Sequence, residues 1–302
     1  MLLFLTDVAA QPVATTDANP PATEGAKGGP PGSGATPPPK AETTAQEGPA
    51  PLPDNPQPGQ LWKNPKDGLE YLWIPPGTFQ MGCSPGNGHF YYGCDGDEQP
   101  RHAITITRGF WMGKTEVTVR AYKRFCSETK RPMPPAPVFN SGWGFEDHPM
   151  VNITWDDAVA FCQWTSGRLP TESEWEYACR AGSDKRFYWG DSIDPAYCWY
   201  MENAGGQTHP VAQKSPNRFG LYDTLGNASE YCSDWYHERS YQYSVAKDPV
   251  GPGAGKLRII RGGSWQALPW GTRASFRGGV LPGEGSAGRC DYCGFRSVIP
   301  GK

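Results

Sequence analysis

Beyond residue 60 the hydrophobic positions fall into short runs with two different periods. Leu69–Ile74 and Gly77–Met81 are β-favouring and are separated by Pro75-Pro76-Gly77, which predicts two strands joined by a turn. Ala103–Thr107 alternates, and Phe110–Met112 is a short apolar run. Helical spacing follows over Thr118–Cys126, with Val119, Tyr122, Phe125 and Cys126 on one face. A second helix is expected over Trp155–Thr165, capped by Thr154, with an apolar stripe of Ala158, Phe161, Cys162 and Trp164. A third starts at Thr171, where Thr171-Glu172-Ser173-Glu174 has capping-box spacing ahead of Trp175, Ala178 and Cys179. Cys162 and Cys179 therefore read as buried thiols or half-cystines rather than nucleophiles. From Asp184 onward the periodicity fades into turns. The last stretch, Leu257–Val298, opens on Leu257, Ile259 and Ile260, turns at Gly262-Gly263 and ends in a short strand over Gly294–Val298. Those two strands are expected to close on each other and to present what lies between them as a surface.

Composition divides the chain in two. Residues 1–60 hold a large share of the 32 prolines and none of the 12 tryptophans. Gln11–Pro58 has no apolar periodicity and cannot bury enough surface to offset its ordering entropy, so 1–60 is read as an extended leader and 61–302 as one folded domain. The formal net charge is −3 with no run of Lys or Arg, which argues against a nucleic-acid partner. No apolar run approaches the roughly 18 residues of a membrane span. MLLFLTDVAA is either an ordinary disordered start or the interior of a longer signal sequence, and the tether-like stretch after it favours export. Nine cysteines suit an oxidising compartment, and the spacing of Cys83 and Cys94 suits a local disulfide. The five histidines show no metal-ligand spacing. Asn152-Ile153-Thr154 and Asn227-Ala228-Ser229 match a glycosylation sequon.

Five strings occur in register: PGTFQMG near residue 80, GRLPTESEWEYACRAG from Gly167, NRFGLYDTLGNASEY from Asn217, RGGSW from Arg261, and GFRSV at the end. Together they resemble the formylglycine-generating enzyme (sulfatase-modifying factor) family. The resemblance implies an α+β, C-type-lectin-like fold, loop-rich with short strands and a few helices. Catalytic members of that family hold copper through two cysteine thiolates shortly after the GGS[YW] turn and oxidise a substrate cysteine to formylglycine. Copper(I) is soft and prefers sulfur. Here the position two past Trp265 is Ala267, the run continues to Thr272, and no cysteine occurs between Cys232 and Cys290. A methyl and a hydroxyl cannot replace two thiolates, so the copper reading fails.

The family's calcium loop is better kept. The resemblance assigns a structural calcium to the side chains of Asp223 and Glu230 and the carbonyls of Gly226 and Ala228, a donor set a hard ion favours; the alternative is that the two carboxylates cap turns. The family's other calcium loop, after the residue matching Asn203, is shortened here to residues 205–209. Cys290-Asp291-Tyr292-Cys293 could chelate a soft metal or form a redox disulfide; the plainer expectation is disulfides to partners such as Cys179, Cys198 or Cys232.

Without the oxidase chemistry the segment suits recognition of a protein or small-molecule ligand. Ala267, Leu268, Trp270, Gly271, Phe276 and Tyr292 are the candidate contact residues, aromatics supplying area and small residues letting a partner approach the backbone. Trp265 reads as core and Trp270 equally as core or surface. The segment also resembles the variable proteins of diversity-generating retroelements, in which RGGSW and GFR bracket rewritten positions. On that resemblance Pro269, Trp270, Arg273, Ala274, Ser275 and Arg277 look like anchors. Ala267, Leu268, Gly271, Phe276, Gly278, Gly279 and residues 290–293 look replaceable. Two function classes remain: a non-catalytic binding domain, which the residues favour, and a formylglycine-generating oxidoreductase using other residues.

Overall fold

A computed structural model describes residues 51–83, 93–283 and 288–301. The expected linker up to residue 50, His89 and the interiors of two loops, 84–92 and 284–287, lie outside the described residues.

The first sheet is built from β1 (Leu61–Lys63), β2 (Glu70–Ile74), β5 (Phe110–Gly113) and β10 (Val298–Pro300), antiparallel in the order β1-β2-β5-β10. Alternation sorts its side chains. Leu72, Met112 and Val298 lie in one register row and face the main core, with Ile74 and Phe110 beside them. Tyr71, Trp111 and Ile299 face the other way, under Trp62, Trp73 and Leu52. Contact with this sheet thus begins ahead of Leu61: Leu52 packs on its outer face, and Gly59 N donates to Trp73 O at 2.9 Å. A hairpin of β3 (Gly77–Met81) and β4 (His102–Ile106) adds Met81, Ile104 and Ile106 to the main core.

Three helices sit where the spacing puts them: α1 (Val119–Thr129), α2 (Trp155–Trp164) and α3 (Glu172–Arg180). Thr118, Thr154 and Thr171 each cap with the side-chain oxygen, and the last two complete capping boxes with Asp157 and Glu174. The apolar faces of α1 and α2 meet in an aromatic cluster of Tyr122, Phe125, Phe161 and Trp164, closed by Phe295 from the C-terminal stretch. Fully buried Trp175 fixes α3 in the main core.

The second sheet departs from the sequence reading. It has the order β8-β7-β6-β9, from β6 (Ser229–Trp235), β7 (Arg258–Arg261), β8 (Gly278–Val280) and β9 (Cys293–Gly294). The two strands expected to close on each other do not pair. β7 pairs with β6 and β8, while Gly294–Val298 is split: β9 runs parallel to β6, and β10 joins the first sheet. The partner missed from the sequence is β6, Ser-Glu-Tyr-Cys-Ser-Asp-Trp. It is buried on both faces, with Glu230, Tyr231 and Cys232 wholly enclosed, so its polar residues hide the alternation that marks a strand.

What holds the irregular C-terminal stretch is four buried guanidinium groups. Arg261 donates to Ser275 O, Phe276 O and Ala274 O and pairs with Glu176. Arg273 clasps Glu98 with both terminal nitrogens, at 2.6 and 2.7 Å. Arg277 meets both oxygens of Glu172 at 2.7 and 3.0 Å. Arg296 meets both oxygens of Glu230 at 2.6 and 2.5 Å and also donates to Tyr222 O and Gly113 O. Removing one partner of such a pair leaves a buried charge uncompensated. We expect Arg261→Met to cost about 3–5 kcal/mol in urea unfolding. Arg120→Met, which loses pairs to Glu146 and Asp147 on the open surface, should leave the unfolding midpoint nearly unchanged. Similar losses in the two variants would deny the lattice its role.

Candidate functional site

The stretch from Trp265 to Phe276 is a rigid base carrying free side chains. Arg273, Ala274 and Ser275 are buried, and the Ser275 hydroxyl donates to Glu98 at 2.8 Å. From that base a 3-10 turn over Pro269–Thr272 lifts the chain outward, Gly271 N donating to Leu268 O. Leu268 and Trp270 project from it at 41% and 43% exposure, and the Trp270 indole meets the Phe276 ring edge-on at 5.5 Å. Only the carbonyl of Trp270 serves as an anchor, accepting from Arg273 Nε at 2.8 Å; its ring is surface. Ala267 is half-buried. Gly271 lies buried inside the turn. Tyr292 is half-buried, with its carbonyl accepting from Ser229 N. Trp265 packs edge-on against Phe139 and donates to Asp291 O, which ties the turn to the 290–293 loop.

All nine cysteines can be followed. Cys83 and Cys94 form the expected disulfide. Cys290 and Cys293 are bonded to each other, not to Cys179, Cys198 or Cys232. Their Cα atoms are 5.3 Å apart, within bridging range, whereas Cys179 and Cys232 are enclosed in the main core. The other five thiols are buried, and burial raises each: Cys126 to about 11, Cys162, Cys179 and Cys198 to about 12, and Cys232 well above its ordinary value. At the two positions that the resemblance assigns to copper ligands, Ala267 offers a methyl and Thr272 a buried hydroxyl that donates to Pro269 O. This donor set does not fit a soft ion.

The Asp223 loop presents a different problem, an excess of buried negative charge. Asp223 has φ 54; its Oδ2 accepts from Ala212 N at 2.6 Å, while Oδ1 is buried with no partner among the described residues. Both Glu230 oxygens are taken by Arg296, and Oε2 also by Trp175 Nε1 at 2.7 Å. Sequence reasoning missed the third member, Glu116, which is fully buried with neither oxygen partnered. Burial pushes Glu116 well above the usual carboxylate range, and the charges of Asp223 and Glu230 push it further; burial raises Asp223 to about 6. Three carboxylates thus gather around the guanidinium of Arg296, with Lys214 as a further positive charge acting on Asp223. Asp223 and Glu116 keep oxygens of the kind a hard cation takes, whereas both Glu230 oxygens are occupied. Glu116 is the lone acid of the mixed stretch Met112–Val119, beside Lys114, Thr115 and Thr118, where periodicity does not single it out. Gly226, at φ 85, could not be replaced without a Cβ 2.3 Å from Trp199 O. Asn227, in one sequon, is wholly buried and accepts from His209 N. Among the described residues, one cluster of ligand-type atoms converges within 4.8 Å: Cys83, Cys94 and Glu98. Its sulfurs are bonded to each other and its carboxylate is held by Arg273, so no donor is left for a metal.

No helix among the described residues is long and apolar enough to cross a membrane. The family described as "Sulfatase-modifying factor enzyme 1-like domain" matches residues 57–300. A formylglycine-generating enzyme of Streptomyces coelicolor is 33% identical over 247 residues, covering 64% of this chain and 77% of that protein. Among solved structures, PvdO from Pseudomonas aeruginosa has a TM-score of 0.70 at 25% identity, over 81% of this chain and 99% of that one. Treponema denticola variable protein 1 has a TM-score of 0.64 at 24% identity, over 80% and 99%, and so shares the fold. With the family match running from residue 57 to 300, this chain belongs to the formylglycine-generating enzyme (sulfatase-modifying factor) family.

Proposed function

We propose that this member of the family is a binding module whose ligand, a protein or a small molecule, is met by the surface around Leu268, Trp270 and Phe276. One observation carries the reading: every cysteine is either in a disulfide or buried as a thiol, and neither copper position offers sulfur. The thiolate is the form that binds the metal, and burial suppresses it at all five free positions. The competing reading, an oxidoreductase of the formylglycine-generating type, draws on the identity to the Streptomyces coelicolor enzyme. Incubation with copper(I) and a Cys-x-Pro-x-Arg peptide separates them. We expect no thiolate–copper absorbance and no formylglycine in the peptide; a stoichiometric signal of either kind would sink the binding reading. The two disulfides also support an oxidising compartment, hence export.

The same surface is proposed to tolerate replacement, as in a protein built to vary its contacts on a fixed frame. Leu268 and Trp270 are exposed, whereas Arg273 and Arg277 are buried pairs. Replacing Leu268 and Trp270 together by Ser and Asp should change unfolding free energy by about 1 kcal/mol or less. Arg273→Ser, which strands Glu98, should cost about 3 kcal/mol or more. Equal costs at the two kinds of position would count against a replaceable surface.

A structural calcium is proposed for the Asp223 loop, with Asp223 and Glu116 supplying carboxylate oxygens and Gly226 and Ala228 supplying carbonyls. Its contribution there is neutralisation of the excess negative charge. At 100 times its dissociation constant the ion would add about 2.7 kcal/mol, raising the midpoint by roughly 5–10 °C for a domain of this size. Glu116→Gln should stabilise the metal-free protein and blunt that rise. A melting curve indifferent to both EDTA and calcium would reject the site.

A further inference from the structure

A cleft of about 570 Å³, with no lining residue from the turn that carries Leu268 and Trp270, lies between the first turn of α3, the end of β6 and the loop 243–252. We propose that it is a second binding site, for an organic cation: an ammonium group on a short apolar stem, held by Asp234.

The floor and the mouth of the cleft differ in chemistry. The mouth is apolar and open, with Tyr243, Val245 and Val250 exposed at 75%, 62% and 68%, and Met81 deeper in. Two carboxylates reach the floor, Glu172 and Asp234, and the one basic side chain lining it is His237 at the surface. Glu172 is neutralised where it stands: Arg277 holds both oxygens, and Tyr241 donates to one at 3.1 Å. Asp234 is not. It is 4% exposed, and its Oδ2 accepts from Glu172 N at 2.9 Å and Ser233 Oγ at 3.0 Å. Its Oδ1 has no hydrogen bond, and the residue no ion pair, among the described residues.

The cations around Asp234 have other partners. Arg168 is clasped by Glu174 with two bonds of 2.6 Å. Arg258 lies between the Trp155 and Trp235 rings, 3.6 and 3.5 Å from their centroids, and donates to Ser233 O. Arg261 and Arg277 belong to Glu176 and Glu172. The rim loop runs close against the free oxygen without donating to it. Gly251, at φ 67, passes so close that a Cβ there would come within 2.9 Å of Asp234 Oδ1. Ser173 Oγ donates to Pro249 O and ties this loop to α3. A buried carboxylate with one oxygen free, at the bottom of an apolar funnel, is complementary to a cation with an apolar stem. The rings of Tyr241 and Tyr243, both lining the cleft, add a favourable surface for it.

Burial, followed by the charge of Glu172, raises Asp234 to about 7. The other groups facing it are Glu174, Tyr241, His237, Arg168 and Arg258. Ionised Asp234 is the form that attracts a cation, so affinity for an amine should rise as pH increases from 6 to 8.

The test is an NMR titration of the full chain with n-hexylammonium, n-hexanol and Nα-acetyl-lysine amide. We expect n-hexylammonium to shift the amides of Glu172, Ser173 and Gly251 and to bind at least tenfold more tightly than n-hexanol. The two amines distinguish a free alkylamine from a lysine side chain of another polypeptide, by whichever binds the tighter. Asp234→Asn should abolish the preference over the alcohol. Tyr243→Ser, at an exposed position, should weaken both ligands while keeping it, so the proposal stays testable if Asp234→Asn fails to fold. Equal affinity for amine and alcohol, no saturable shift with either amine, or shifts elsewhere in the chain would overturn it.

Discussion

Guanidinium groups enclosed with carboxylates set the terms for everything else in this fold. Taking Arg261, Arg273, Arg277 and Arg296 out of water is expensive, and the cost is recovered only where geometry gives each of them a full set of acceptors. Three achieve this with two-pronged pairs to Glu98, Glu172 and Glu230; Arg261 meets one carboxylate and three backbone carbonyls through its terminal nitrogens and leaves Nε unpartnered. Such requirements are directional, whereas apolar burial is not. A stretch with few hydrogen-bonded strands, from Gly262 to Gly279, is thereby held in one conformation. The acids come from distant parts of the chain, Glu98 before β4, Glu172 and Glu176 on α3, Glu230 on β6, so the same pairs fix where the C-terminal stretch sits.

That division of labour explains which parts of the fold were legible. The helices and the first sheet declare themselves because their burial is apolar and periodic: Thr154 and Thr171 cap, Phe161 and Trp175 point inward, and Leu72, Met112 and Val298 share a row. β6 does not, because Glu230 and Asp234 are buried through specific partners that one sequence cannot display. Missing β6 led directly to the wrong pairing for the C-terminal strand, since its parallel partner was unseen. The arginines at 273 and 277 were recognised as anchors only through a resemblance; their acids became visible in three dimensions. Glu116 was beyond reach for the same reason, whereas the mutual Cys290–Cys293 bond stood among the alternatives the Cys-x-x-Cys spacing offers but could not be chosen over other pairings.

A rigid base with free side chains above it also bears on how the family frame is used. In the turn after Gly263 the backbone does structural work and the side chains do not: Ser264 O and Leu268 O accept from Ala267 N and Gly271 N, while the Leu268 and Trp270 side chains stay outside. Chemistry placed on such a turn would need donors of its own, and this chain puts a methyl and a committed hydroxyl there. Aromatic surface without reactive groups favours contact over catalysis.

Charge bookkeeping along β6 leads to one more step. Glu230 and Asp234 lie four residues apart on a strand buried on both sides, yet the arginine frame answers only the first. Next to Glu230, the unpartnered oxygens of Glu116 and Asp223 leave a second deficit. Each of the four enclosed guanidinium groups is already paired with a carboxylate of its own, Glu176, Glu98, Glu172 or Glu230. Each deficit must then be met by a proton or by a cation from outside. The two differ in what surrounds them: oxygen donors in a tight loop favour a small hard ion, and an apolar funnel favours an organic one. The unequal coverage of one strand's acids therefore separates two kinds of site that the strand itself brings close together in sequence.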